Sequence, residues 1–289
     1  MKVEMKTWAA LGLAGVLAGS GLAGCSDGAG VDSESETDRE AVDGQAGEGG
    51  EGGEGGEGGE AGEGGESGEG GIDAAAAARD PVAYRTALAV AEAHAIAAHD
   101  AFLAGKTDPA AEMFGHPAVE VLAEMEPVLA ERGIVDLAPR FNEASQAVLD
   151  GRGEIEVGER YGAVIAAIER AEEKAPESAA SEAGIAARVV ADMIDRAAAM
   201  YREAQGSPAY APYLDGYGFH RAAASAFEDA EPAILAARPD LAARIREALD
   251  LLAGAYPGVE RPEVLAAEPG ELIAAGSRVA LALEDAPAP

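Results

Sequence analysis

Pro81-Val-Ala-Tyr-Arg-Thr-Ala-Leu-Ala-Val-Ala-Glu-Ala-His-Ala-Ile-Ala-Ala-His-Asp-Ala-Phe-Leu103 is the stretch from which the fold is read. Ala87, Val90, Ala91, His94, Ala98 and Phe102 recur at helical spacing and fall along one side of a helix. Outward from it, the same spacing gives helices at about 117–132, 137–149, 157–174, 181–204, 219–237, 241–255 and 269–283. Pro109, Gly133, Gly151, Pro176, Pro208, Pro239, Pro257 and Pro262 punctuate them. Alternating strand patterns are nearly absent, so the sequence predicts an all-α fold. Hydrophobic residues make up 48% of the chain but aromatic ones only 4%, so alanine and short aliphatic side chains must form a core of closely approaching helices.

Two stretches repeat. Asp136-Leu-Ala-Pro-Arg-Phe-Asn-Glu-Ala144 and Asp240-Leu-Ala-Ala-Arg-Ile-Arg-Glu-Ala248 agree at six of nine positions. Upstream, Phe114 corresponds to Phe219 and Glu126-Pro127 to Glu231-Pro232. The expected architecture is a tandem pair of four-helix units, 74–175 and 176–289, preceded by two segments of another kind.

The first of these is 1–24. Lys2 and Lys6 precede a short, glycine-containing apolar run, the pattern of a secretory leader. It ends Leu22-Ala23-Gly24-Cys25, which resembles the lipobox of bacterial lipoproteins. That resemblance implies cleavage before Cys25, the only cysteine, and acylation of Cys25 with diacylglycerol and fatty acid such as palmitate. A lone cysteine also excludes a disulfide framework. Ser26 after it implies, by likeness to enterobacterial sorting, an outer-membrane destination facing the periplasm. The second segment, 25–73, carries glycine at every third position from Gly44 to Gly71 and glutamate likewise from Glu48 to Glu69. Without proline there it is no collagen; it is expected to be a disordered, self-repelling linker with a root-mean-square span of roughly 35–42 Å.

Net charge is −32. The sixteen acids and one arginine of 26–73 carry −15 of it, and, with +1 on the leader, 74–289 keeps −18. Both values disfavour nucleic acid as a partner.

Four histidines are available for chemistry. His94 and His99 lie five apart and share no helix face well; each is expected to be a satisfied or surface histidine. His116 precedes Pro117, with Glu120 and Glu124 at four-residue steps, an oxygen–nitrogen face suited to a divalent metal. His220 lies in Tyr210-Ala-Pro-Tyr-Leu-Asp-Gly-Tyr-Gly-Phe-His-Arg221, where four aromatics within ten residues suggest a structured turn that seals the second unit.

Within that stretch Gly218-Phe219-His220-Arg221 resembles the Gly-Phe-His-Arg of the GxHxxE motif of imelysin-like proteins, bacterial envelope proteins linked to iron uptake, some described as peptidases. The resemblance implies a helical fold of two related bundles and a metal ligand at His220. The motif's glutamate falls on Ala223, and in Gly115-His116 the nearest carboxylate, Glu120, stands one residue too far. The expectation is therefore a lipid-anchored periplasmic protein, without enzymatic activity, that binds iron or another divalent cation through His220, His116 and Glu120. A metal-free envelope scaffold that meets a protein partner and a degenerate imelysin-type peptidase are the alternatives. No nucleophile elbow, HExxH, phosphate loop or redox dithiol occurs.

Overall fold

The computed structural model of the chain describes residues 72–284; the 1–24 leader, Cys25 and nearly all of the 25–73 linker lie outside the described residues. Among the described residues every regular element is a helix: α1 (Ala74–Ala77), α2 (Pro81–Leu103), α3 (Thr107–Glu120), α4 (Leu122–Glu131), α5 (Leu137–Leu149), α6 (Glu154–Glu172), α7 (Glu182–Gly206), α8 (Ala211–Ala237), α9 (Pro239–Ala255) and α10 (Pro269–Glu284). None of them is long and apolar enough to cross a membrane.

The α2 helix begins and ends where its sequence dictates. The Asp80 carboxylate accepts a hydrogen bond from the Val82 N–H at 2.9 Å, and Pro81 fills the first helical position. At its far end Gly105, at φ 76°, lets the N–H groups of Gly105 and Lys106 donate to the carbonyls of Phe102 and Ala101. Gly133 and Gly151 close α4 and α5 by the same pattern. Between its ends α2 is buried on nearly every side, through Tyr84, Ala87, Leu88, Val90, Ala91, Ala95, Ala97 and Ala98. Its alanines let the neighbouring helices close in. α2, α3, α5 and α6 pack side by side into one four-helix ring, and α7, α8, α9 and α10 into a second; α2 also packs on α7 and α8 and so joins the rings.

The two repeated stretches open α5 and α9, and their apolar positions are equivalently buried: Leu137 and Leu241, Phe141 and Ile245, Ala144 and Ala248. Their polar positions diverge. Arg140 turns back to Asp136 at 2.8 Å, whereas Arg244 reaches Glu247 at 3.2 Å. Equivalent burial is what one amphipathic pattern requires at both places, whatever the ancestry of the two halves.

Two segments differ from the expectation, for one reason. The region expected to be a helix from 117 is α3 followed by α4, so Pro117 lies inside α3, while Pro109 occupies a first turn that has no use for its N–H. The stretch from Tyr210 to Arg221, expected as a turn, is the N-cap and opening of α8, with Pro212 in the first turn and Gly216 and Gly218 inside the helix. Glycine inside a helix costs about 1 kcal/mol relative to alanine, so it marks either a break or a close approach. Here it marks approach: a Cβ at Gly218 would collide with the Ala93 carbonyl and lie 3.0 Å from the Ala97 Cβ, and one at Gly216 would strike the Tyr256 hydroxyl.

Gly218→Ala therefore forces α8 off the backbone of α2 and is expected to destabilise the fold by roughly 1–3 kcal/mol. Gly162→Ala on α6, where nothing lies within 4 Å, is expected to stabilise by about 0.5–1 kcal/mol through helix propensity. Thermal unfolding of the two variants checks the contrast; equal melting temperatures would refute the close-packing explanation.

Candidate metal centre

His94, His116 and Asp215 meet where α2 and α3 of the first ring face α8 of the second; each offers one ligand atom, all within 4.8 Å of one another. Three helices thus contribute one donor apiece, two of nitrogen and one of oxygen.

His94 is held most tightly. Its ring is 2% exposed, and Nδ1 lies 2.8 Å from the Val90 carbonyl one turn back. A carbonyl only accepts, so Nδ1 carries the proton and donates, leaving Nε2 with a lone pair. Burial pushes the pKa of His94 down to about 4, against the opposing pull of the Val90 bond, so the imidazole is neutral near pH 7. Nε2 has no hydrogen-bond partner and stands 3.6 Å from Oδ1 of Asp215, itself 3% exposed.

Ring packing fixes the orientation of the group. His116 and His94 meet edge-on, with centroids 6.1 Å apart and planes at 68°. Phe219, one turn beyond Asp215 on α8, meets His94 at 5.7 Å and 88°. The α3 helix lies against α5, where the Ser145 hydroxyl donates to the Ala111 carbonyl at 2.7 Å. His116 lies further along α3, with Nδ1 buried and unpartnered.

A lone pair on His94 Nε2 and a carboxylate oxygen therefore face one another in a dry setting. A shared proton would draw such a pair to about 2.7–2.9 Å. Two ligands of one tetrahedral metal, at bonds of about 2.0–2.2 Å, stand roughly 3.3–3.6 Å apart. The observed 3.6 Å suits a shared metal ion. The bond from Nδ1 to a backbone carbonyl is the supporting contact that commonly orients a metal-binding imidazole.

The other expected site residues are placed differently. His220 is 8% exposed on α8, its ring 6.2 Å from that of Tyr256 and nearly parallel at 14°, with Nδ1 buried and unpartnered; it is not one of the three gathered residues. Ala223, where the motif's glutamate would stand, is wholly buried. Glu120 is the last residue of α3, one turn after His116, and its Oε2 is buried without a partner, though it too stays outside the gathered group. His99 stacks on Tyr161 with centroids 4.2 Å apart. The tyrosines near His220 fasten the connection between α9 and α10: the hydroxyls of Tyr210 and Tyr213 donate to the carbonyls of Val259 and Gly258 at 2.7 and 2.6 Å.

The sequence points to His116 but not to His94 or Asp215. His94 reads as a satisfied histidine on the apolar side of its helix, and one of its nitrogens is indeed satisfied. Asp215 carries no signal beyond a lone acid among aromatics. No family model, curated protein or solved structure matches the chain.

Burial lowers the pKa of His220 to about 4, and the Arg221 charge adds to the effect. In the unfolded chain this imidazole takes up a proton near pH 6.5, whereas in the fold it stays neutral until about pH 4. Stability from this group is complete above pH 6.5 and is lost as pH falls toward 4, by up to about 3 kcal/mol. Melting temperatures between pH 7.5 and 4.5, without metal, are expected to fall less steeply for His220→Gln than for wild type. Parallel curves would remove His220 from the acid response.

Proposed function

We propose that this chain is a divalent-metal-binding protein of the bacterial envelope, carried on a lipidated Cys25, with His94, His116 and Asp215 as its metal ligands. The observation that carries the reading is the His94 lone pair set 3.6 Å from a buried carboxylate with a second imidazole alongside. A set of two imidazoles and one carboxylate, without thiolate, suits iron(II) and zinc(II). The −18 carried by 74–289 raises the local concentration of cations and repels anionic partners. The lipobox-like Leu22-Ala23-Gly24-Cys25 supports the anchor. In this reading His220 lies beside the aromatic cluster and is not a ligand, which separates it from the imelysin pattern.

Metal binding to the native state alone raises stability by about 2.7 kcal/mol at one hundred times Kd. For a folded part of this size that is a rise of roughly 5–10 °C in melting temperature. Wild type with iron(II), under anaerobic conditions, or with zinc(II) is expected to show it. His94→Gln and His116→Gln are expected to lose it, and His220→Gln to keep it. Absence of any rise in wild type, or its loss in His220→Gln alone, would overturn the assignment. The anchor is checked separately: Cys25→Ser is expected to move the protein from the detergent phase to the aqueous phase on Triton X-114 partitioning.

A further inference from the structure

Three ligands leave a metal ion incompletely bound, and the charge around the centre does not balance. Two neutral imidazoles and one carboxylate give −1, so a divalent ion would leave +1 in a buried place, where an uncompensated charge is costly. The Arg196 guanidinium lies 5.9 Å from the centre of the Phe219 ring that packs against His94, but it is paired with Asp192 at 2.6 Å and so alters that balance little. One more carboxylate is needed.

Glu120 meets that need. It follows His116 by four residues on α3, the spacing at which two side chains of one helix turn ligate a single metal. Its Oε2 is buried and has no hydrogen-bond partner, an arrangement that costs free energy unless something occupies it. It also ends its helix: Val121, between α3 and α4, has left ideal helical geometry at φ −109° and ψ −55°. The side chain therefore stands at a joint between two helices, where a small adjustment is cheapest.

We propose that Glu120 swings in as the fourth ligand when metal binds, closing the centre with two histidines, one aspartate and one glutamate, whose charge of −2 matches a divalent cation. This deepens the reading above and rests on it. A closed site with no position left for water or substrate is that of a carrier or holder of metal; catalytic zinc sites keep one position open. It also sets the charge class of the cargo, since a trivalent ion would again leave the centre positive.

The test uses cobalt(II) chloride as an optical probe on the full chain, with sodium azide as an exogenous ligand. Wild type is expected to give the intense visible bands of four-coordinate cobalt, unchanged by azide. Glu120→Gln is expected to bind cobalt at least about tenfold more weakly and to respond to azide at the vacated position. Glu120→Asp should recover part of the affinity. The metal-free melting temperature of Glu120→Gln, expected close to that of wild type because glutamine keeps the size of the side chain, separates loss of a ligand from loss of the fold. Azide-sensitive bands in wild type, or identical affinity and spectra in wild type and Glu120→Gln, would overturn the proposal while leaving the three-ligand site standing. Failure of wild type to bind cobalt at all would instead bring down the metal-binding reading, and this inference with it.

Discussion

At Gly218 the absence of a side chain lets α8 rest on the backbone of α2 at Ala93, the residue beside His94. That approach sets the distance between the two rings, and with it the separation of His94 from Asp215, three residues before Gly218 on α8. A single methyl group there would meet a backbone carbonyl, which cannot rotate away as a side-chain end can. The alanines of α2 serve the same end on its other sides. A core so poor in large side chains holds together because its helices come close, and close helices bring polar groups on facing surfaces within reach of one another.

The cost of the polar seam argues that it is more than packing. A buried polar atom without a partner costs roughly 1–3 kcal/mol, and His94 Nε2, His116 Nδ1 and Glu120 Oε2 are all of that kind. Apolar side chains of similar volume would remove the penalty. The proposed cation gives the lone pairs of His94 Nε2 and Glu120 Oε2 something to face. It also fits the state of His94: an imidazole must be unprotonated on one nitrogen to ligate, burial keeps the ring neutral, and the Val90 carbonyl holds the remaining proton on Nδ1.

Helices are legible in the sequence because their period is local. α2 and α5 begin and end where the apolar spacing puts them, and the structure adds the Asp80 cap and the positive-φ Gly105 as the physical reasons for the ends of α2. Proline and glycine mislead at 109, 117, 212, 216 and 218 because the same residues serve a chain break, a first turn and a close approach. Local sequence does not distinguish those uses; the neighbour across the core does. The site is legible only at His116, whose place beside Glu120 is a matter of one helix. His94 and Asp215 are 121 positions apart, and only the packing of α8 on α2 brings them together. The seam between rings, where the candidate centre lies, is the feature that an account of each half separately could not contain.

Anomalous diffraction from crystals grown with zinc(II), with data collected on both sides of the zinc absorption edge, tests the central claim most directly. One strong peak is expected at about 2.0–2.2 Å from His94 Nε2, from His116 and from an Asp215 oxygen. A peak at His220, or zinc confined to surface carboxylates with these three residues unligated, would contradict it.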